Sequence, residues 1–220
     1  MSGRLLSSPE GIYLLRELDS SYRYGSAGGS KAIRRHRRLV RERLSDAFED
    51  NVPVLEREPA TLPVVAHLPR ALELGTRGAL APFARTLDRV KHQLAWEYGY
   101  EKVPRHLAEK YAYCEVLGPQ GPVHGENLIL GLVLFAPRTT YPAHNHAGIE
   151  ESYVSVAGAW SENDLAVYAP GSLILNGDSH EHRITTGDYE PTLLAYAWVG
   201  EPERLANPGM RFSGPRRPPR

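Results

Sequence analysis

The chain has 220 residues, and its 26 basic residues (Lys and Arg) balance its 26 acidic residues (Asp and Glu), so the formal net charge is zero. This balance argues against an electrostatic attraction of the whole molecule to nucleic acid or to an anionic membrane. A hydrophobic fraction of 41% and a charged fraction of 24% are typical of a folded globular chain and argue against global disorder.

No segment of the sequence has the pattern of a secretory signal or of a membrane span. The N-terminal segment lacks a long apolar core, and the longest apolar run, 128–135, is too short to cross a bilayer. Cys114 is the single cysteine, which excludes an intramolecular disulfide and is compatible with a reducing compartment. We therefore expect a soluble, cytoplasmic protein that binds neither nucleic acid nor membrane.

Residues 1–108 have helical patterns, and we expect them to form an α-helical N-terminal extension packed on the rest of the chain. Apolar residues recur at helical spacing over 31–48, where Ser30 is the expected N-cap. A second helix is predicted over 81–96, since a proline in the first turn of a helix is tolerated. Shorter helices are predicted over 9–18 and 69–74.

The helix predicted over 31–48 carries a cluster of basic residues that has two interpretations. It could bind nucleic acid or an acidic partner, or it could be a solvated helix face balanced by nearby acidic residues. No zinc-finger or other recognition motif lies nearby, so we favour the solvated face. The cluster consists of Lys31, Arg34, Arg35, Arg37, Arg38, Arg41 and Arg43.

From residue 109 to residue 200 the pattern changes to short apolar runs separated by Pro and Gly, which is typical of β-strands. Many short strands at such intervals predict a sandwich or a small barrel, so the expected fold class is mainly β. Residues 201–220 form a basic tail rich in Pro and Arg, for which we expect no fixed structure. The predicted strands are 111–117, 127–135, 152–156, 165–168, 172–175 and 192–199.

Residues 144–182 contain a set of side chains that could bind a metal. His144 and His146 are two residues apart, so on a strand both imidazoles would point to one face. Glu151 follows, with Tyr153 on the same side of its strand, and His182 lies on a later strand. Three histidines and a carboxylate on neighbouring strands form a ligand set for one divalent transition metal ion: Zn, Fe, Mn, Co or Ni.

Spacing alone leaves two positions of this ligand set open. Glu150 is an alternative to Glu151 as the carboxylate ligand, although the gap to the following Gly favours Glu151. His180 is an alternative to His182. Because both of these histidines would face the same side of a strand, alternation does not choose between them.

The segment HNHAGIEESYVSVAG, residues 144–158, resembles the first sequence motif of the cupin superfamily, in which His-x-His is followed by Glu and then by Gly. A looser second motif has Pro170 and Gly171 before His182. The resemblance implies a C-terminal cupin barrel (a double-stranded β-helix or jelly roll) over 109–200, with a metal site. The alternative is a cupin-like barrel that has lost its metal, and the retention of all four ligand positions argues against it.

Within that superfamily the sequence resembles the cupin-type dimethylsulfoniopropionate (DMSP) lyases over roughly residues 126–199. The resemblance implies that Tyr153 is the catalytic base and that Tyr141 is a second active-site tyrosine. One extra residue between His146 and Glu151 is a departure from the family pattern. The matching segments are YPAHNH at 141–146, Glu151-Ser152-Tyr153, Pro170-Gly171 and HRITTGDYEPTLLAYAW at 182–198. The implied metal ligands are His144, His146, Glu151 and His182.

The implied reaction is a β-elimination that releases dimethyl sulfide and acrylate from DMSP. The metal would bind the substrate carboxylate and stabilise the negative charge that forms as the neighbouring carbon loses its proton to Tyr153. The dimethylsulfonium group is a cation that favours aromatic ring faces. Ordinary barrel core is the alternative role for the aromatic side chains concerned. The candidate rings are Trp198, Tyr196, Trp160 and Tyr141.

Two other functions are compatible with the same sequence. The metal site could serve a different cupin reaction, that of an Fe or Mn dioxygenase or of an isomerase. A non-catalytic binding module or regulator is the third candidate, supported mainly by the basic helix. The sequence leaves open whether the N-terminal extension covers the barrel or gates substrate entry, and it is compatible with a homodimer.

Overall fold

The computed structural model describes residues 3–25, 28–100 and 102–209. Most of the helices precede most of the strands in chain order. The α-helices are α1 (Pro9–Tyr24), α2 (Lys31–Glu49), α3 (Leu68–Gly75), α4 (Ala81–Val90), α5 (Arg105–Ala108) and α6 (Pro202–Ala206). The strands are β1 (Gly3–Arg4), β2 (Pro53–Val54), β3 (Tyr111–Gly118), β4 (Val123–His124), β5 (Leu128–Phe135), β6 (Thr140–His144), β7 (Ile149–Ala157), β8 (Trp160–Glu162), β9 (Ala166–Tyr168), β10 (Leu173–Asn176), β11 (His182–Thr186) and β12 (Thr192–Gly200).

The strands form two sheets that pack against each other. The larger sheet has the order β1-β2-β4-β3-β5-β12-β7-β10, and the smaller sheet has the order β6-β11-β8-β9. From β5 onward the chain passes repeatedly between the two sheets, as in a double-stranded β-helix. The rings of Tyr153 in the larger sheet and Trp160 in the smaller sheet meet edge to face at 5.7 Å. The predicted fold class, a mainly β cupin fold with an α-helical N-terminal extension, is confirmed.

The helix predicted over 31–48 is confirmed as α2, and the side chain of Ser30 accepts a hydrogen bond from the Ile33 backbone N–H at 3.2 Å. The prediction over 81–96 was wrong at its C-terminal end. Helix α4 ends at Val90, and after one 3₁₀ turn the chain becomes extended, because Trp96 donates its backbone N–H to the carbonyl of Ala60 instead of continuing the helix. Helix α1 is longer than predicted and continues to Tyr24.

All six predicted strands form, but several short strands were missed, among them β8 and the two that carry His144 and His182, β6 and β11. The expectation that His144 and His146 lie on one strand was wrong. The strand ends at His144, and His146 lies just beyond it in the connection to β7. The two imidazoles still converge, with ring centroids 5.2 Å apart, because the chain turns after His144.

The larger sheet has two chemically different faces. One face is aliphatic and packs against α1 to α4; it includes Cys114 on β3, Leu132 on β5 and Ala195 on β12. The other face is largely aromatic and lies between the sheets; it includes Tyr111 on β3 and Tyr196 on β12. Alternation along each strand sorts the side chains to these two faces. Helices α1 to α4 therefore cover the outer face of the larger sheet, whereas Tyr100 and Leu107 pack between the sheets.

The C-terminal residues differ in part from the predicted tail. Within 201–220, residues 202–206 form helix α6, and Leu205 is buried beside β12. Residues 210–220, which carry most of the Pro- and Arg-rich sequence, lie outside the described residues. No helix within the described ranges is both long enough and apolar enough to cross a membrane.

Candidate metal centre and aromatic cavity

Four buried side chains converge between the two sheets: His144, His146, Glu151 and His182. His144 ends β6 and His182 begins β11, and these two residues are paired in the register of the smaller sheet. Glu151 projects from β7 in the larger sheet, and His146 lies in the connection that joins the sheets. One potential ligand atom from each residue lies within 4.8 Å of all the others. Three imidazoles and one carboxylate fit a divalent transition metal ion.

Backbone contacts fix the ring orientation of two of the histidines. Nδ1 of His144 lies 3.0 Å from the carbonyl oxygen of Pro142, and Nδ1 of His182 lies 3.0 Å from that of His180. A carbonyl can only accept, so in each neutral ring Nδ1 carries the proton. Nε2 of each ring is then left with a lone pair directed at the cluster, which is the arrangement that metal-binding histidines adopt.

Several buried polar atoms of the cluster have no hydrogen-bond partner among the described residues. Oε2 of Glu151 lies 2.9 Å from Nε2 of His182 and 3.5 Å from Nε2 of His146, yet neither contact has hydrogen-bond geometry. Buried polar atoms without partners are costly. Their convergence on one point is accounted for by a bound cation, and the donor set therefore fits the predicted metal.

The charges in the cluster are strongly interdependent. Burial alone would raise the pKa of Glu151, but the neighbouring His146 and His182 hold it well below its usual range. Burial would lower the pKa of His182, but Glu151 outweighs burial and raises it. The pKa of His144 is lowered to about 3, chiefly by burial and then by His182. The shifts of Glu151 and His144 favour an ionised carboxylate and a neutral imidazole, the forms that bind a metal, whereas His182 would lose its proton on binding one.

The two alternative ligands lie outside the cluster. Glu150 projects to the opposite face of β7, where it forms an ion pair with Arg35 and lies 3.4 Å from Nδ1 of His36. His180 is exposed, although its ring stacks on that of His182 at 6.4 Å. The geometry therefore favours Glu151 and His182.

Trp198 forms a hydrogen bond with Oε1 of Glu151, the carboxylate oxygen that does not face the histidines. Its indole Nε1–H donates to Oε1 of Glu151 at 2.7 Å, across the register of β12 and β7. Its ring also lies 4.5 Å from that of His146. The side chain predicted to contact substrate is thus also a direct neighbour of two members of the cluster.

A cavity of about 170 Å³ opens beside the cluster. Of the residues predicted for catalysis and substrate binding, Tyr141, Tyr153, Tyr196 and Trp198 line it. Trp160 is not brought to the cavity. Its ring lies behind Tyr153, and its Nε1–H donates to Oγ of Ser155 at 2.8 Å.

The two predicted active-site tyrosines have different surroundings. Tyr141 donates its hydroxyl to Tyr100 at 2.8 Å, and burial raises its pKa well above 10. Tyr153 lies two residues beyond Glu151 on the same face of β7, with its ring 6.1 Å from that of His182. Burial, and then the charge of Glu151, raise the pKa of Tyr153 well above 10. A phenol in this position needs a nearby cation to lose its proton near neutral pH.

Sequence analysis missed some residues of the site. Glu115 lines the cavity from β3, and its signal was a charged residue alternating with Tyr111 and Tyr113 in an otherwise buried strand. Leu205 lines it from α6, within the segment expected to lack structure. His36, which falls among the apolar positions of α2, is a buried histidine behind the site whose ring contacts Ser152.

The chain is similar in sequence to known proteins. The sequence model of a family described as dimethylsulfoniopropionate lyase matches residues 36–194. A curated protein of Cereibacter sphaeroides, named provisionally as the dimethylsulfoniopropionate lyase DddL, is 62% identical over 214 residues, covering 97% of this chain and 92% of that protein.

Two solved structures share the fold. The DMSP lyase DddQ from Ruegeria pomeroyi has a TM-score of 0.68 and 20% identity, covering 92% of this chain and 98% of that chain. A structure described as that of the DMSP lyases RdDddP and RnDddQII has a TM-score of 0.66 and 18% identity, covering 93% and 98%. The helical extension is included in these alignments, since they cover nearly the whole chain.

Proposed function

Because the chain belongs to the dimethylsulfoniopropionate (DMSP) lyase family, we propose that it is a carbon–sulfur lyase that cleaves DMSP to dimethyl sulfide and acrylate. Family membership carries this proposal. The convergence of a buried His/Glu cluster and an aromatic cavity supports it, because DMSP has a carboxylate at one end and a soft cation at the other.

The cluster of His144, His146, Glu151 and His182 is the proposed metal-binding site. A divalent metal bound there would act as a Lewis acid toward the substrate carboxylate and would favour the ionised form of a nearby phenol. The buried surroundings of the cluster exclude bulk water, which strengthens every charge interaction at the site.

Tyr153 is the proposed general base. Its phenolate would take a proton from the carbon next to the substrate carboxylate, and that C–H electron pair would form the new carbon–carbon double bond. The C–S bond then breaks with its electron pair going to sulfur, so that dimethyl sulfide leaves as a neutral molecule. Tyr141 is proposed as a second active-site tyrosine, whose hydroxyl is oriented by Tyr100.

The proposed substrate-binding rings are Trp198 and Tyr196, whereas Trp160, the third ring suggested by the sequence, does not line the cavity. Tyr196 and Trp198 lie on one face of β12 with centroids 5.6 Å apart, and both line the cavity. Each such ring attracts a soft cation by about 0.5–2 kcal/mol. For Trp160 the contacts support an indirect role, in which its ring packs against Tyr153 and limits the rotamers of the base.

The Tyr153→Phe variant tests the assignment of the base. It should bind metal as the unchanged protein does, because the ring is kept, but release of dimethyl sulfide should fall by a factor of 10²–10⁴, roughly the contribution of a general base. Headspace gas chromatography measures the gas, and acrylate should form in equal amount.

The control is Tyr189→Phe, which changes an exposed tyrosine and should leave turnover unaltered. Near-normal turnover of Tyr153→Phe with full metal content would exclude Tyr153 as the base. Oxygen consumption or isomerisation of the substrate, without dimethyl sulfide release from the unchanged protein, would instead favour the dioxygenase or isomerase alternatives.

A further inference from the structure

The cavity has a second carboxylate, at the side remote from the metal-binding cluster. Glu115 lines it from β3, which lies three strands from β7 and Glu151 in the order β3-β5-β12-β7. The lining residues Gln120 and Ala206 are exposed, whereas those of the cluster are buried. Gln120 contacts Glu115 directly, so the cavity has an exposed residue beside this carboxylate.

Glu115 is held in a fixed position by the local backbone. The register of β3 against β5 shifts between Glu115 and Leu117, which is a β-bulge. Bulges of this kind re-aim a side chain. In the turn that follows, the backbone N–H of Gln120 donates to Oε1 of Glu115 at 2.7 Å.

Glu115 and the proposed sulfonium-binding rings form one wall of the cavity. In the sheet register, Glu115 pairs with Gly131, and Gly131 pairs with Tyr196. A Cβ on residue 131 would lie 2.5 Å from Oη of Tyr196, so only glycine lets that phenol lie over β5. Tyr113 also lines the cavity and has its ring 6.5 Å from that of Tyr196.

The charge of Glu115 is not neutralised by an ion pair within the described residues. Burial raises its pKa to about 7, the backbone N–H groups of Gln120 and Gly121 oppose that rise, and the charges of Glu97 and Arg57 act with opposite signs. A carboxyl group in this condition is readily ionised by a cation brought close to it.

We propose that Glu115 is a specificity-determining residue that favours substrates whose end remote from the carboxylate is cationic. The inference rests on the proposed function, because it takes DMSP as the substrate. DMSP is a zwitterion, and the cavity offers the metal-binding cluster on one side and Glu115 on the other. A carboxylate beside aromatic rings raises the preference for a sulfonium over an uncharged group of the same shape.

Two compounds that lack a sulfonium leaving group test this preference. 3-(Trimethylammonio)propanoate keeps the carboxylate and the cationic end, and 4-methylpentanoate keeps the shape but has an uncharged end. Isothermal titration calorimetry measures the Kd of each for the metal-loaded protein and for its Glu115→Gln variant. Glutamine preserves the size of the side chain and the acceptor for Gln120. Glu126→Gln, at an exposed position outside the cavity, is the control for loss of one charge.

We expect Glu115→Gln to weaken binding of the cationic compound by about tenfold or more and to change binding of 4-methylpentanoate by less than about twofold. The KM for DMSP should rise in the same proportion, with kcat nearly unchanged. An equal change for both compounds, or no change, would overturn the role of Glu115. Because the titration measures binding and not cleavage, this comparison decides on Glu115 separately. Failure of the unchanged protein to release dimethyl sulfide from DMSP would instead overturn the proposed function.

Discussion

At the scale of single residues, the carboxylate of Glu151 has two oxygens with different environments. Oε1 accepts a hydrogen bond from Trp198, and Oε2 faces His146 and His182. Residues that hydrogen-bond a metal ligand fix its orientation, and their loss typically weakens metal binding 10–100-fold. Trp198 therefore affects the proposed metal site as well as the cavity.

We predict that Trp198→Phe lowers the affinity for metal by about tenfold or more, because the aromatic ring is kept while the donor to Glu151 is lost. Competition with a chromophoric chelator measures the affinity. Trp96→Phe is the matched control, since Trp96 is also buried but its Nε1 has no partner among the described residues. Equal metal affinities for the Trp198 variant and the unchanged protein would contradict the orienting role.

Residue identities in the cluster were accessible from the sequence, but their contacts were not. His-x-His, Glu151 and His182 follow from spacing and resemblance. The choice of Glu151 over Glu150 depends on which face of β7 is buried against the smaller sheet. The bond from Trp198 depends on the register of β12 against β7. Register is set by the packing of the whole sheet, so a single sequence does not specify it.

At the scale of secondary-structure elements, α1 and α2 support the strand that carries the site. Ser152, which lies between Glu151 and Tyr153, points to the helical side of β7. Its Oγ lies 2.8 Å from Nε2 of His36 and 2.8 Å from the hydroxyl of Tyr22. All three side chains are buried, so the helical extension fixes the strand through this polar network.

We predict that His36→Ala lowers the free energy of unfolding by about 2–3 kcal/mol, because it leaves a cavity and removes one of the two hydrogen-bond partners of the Ser152 hydroxyl. Urea denaturation measures the change, and His92→Ala, at an exposed position, is the control. Burial lowers the pKa of His36 below 6.5. The contribution of His36 to stability is therefore complete above pH 6.5 and is lost as the pH falls toward its folded-state pKa.

The pH dependence gives this prediction a second readout. The difference in stability between the unchanged protein and His36→Ala should be largest above pH 6.5 and should shrink on acidification. A difference that grows as the pH falls, or an unchanged stability of the variant at neutral pH, would contradict the role of this network.

Some arginines of the basic cluster of α2 donate hydrogen bonds to backbone carbonyls of other elements, which the composition did not predict. Arg37 donates from Nε to the carbonyl of Tyr22 at 2.6 Å and from Nη2 to that of Arg23 at 2.8 Å, so it satisfies the C-terminal end of α1. Arg43 donates to the carbonyl of Gly200 at 3.0 Å. The solvated helix face expected from the sequence is therefore only part of the description, because several of these arginines bind their own chain.

Elements with strong apolar patterns were predictable, and short polar elements were not. The strand at 192–199 is apolar from Leu193 onward, and it agrees with β12 to within one residue. In contrast, β11 reads His-Arg-Ile-Thr-Thr and β8 has only three residues. Pairing within the smaller sheet, rather than local propensity, makes these segments strands.

At the scale of the whole molecule, the two faces of the larger sheet have different roles: one packs against the helices, and the other faces the candidate site. The aliphatic face is covered by helices, and the aromatic face lines the cavity. The motif around His144 predicted the fold class, since its residues are those that a cupin barrel brings together. The boundaries at residues 108 and 200 stay a prediction. The helices and strands share one apolar core, and Leu205 of the C-terminal segment is also buried.

The central claim is that DMSP cleavage depends on a metal held by His144, His146, Glu151 and His182. The most direct measurement is the rate of dimethyl sulfide release from DMSP against bound metal per chain, after chelation and reloading with Zn, Mn, Fe, Co or Ni. We predict that activity rises in proportion to bound metal, reaches its maximum at one ion per chain and is lost in His144→Ala but not in His124→Ala. Undiminished release of dimethyl sulfide by the chelated, metal-free protein would contradict the claim.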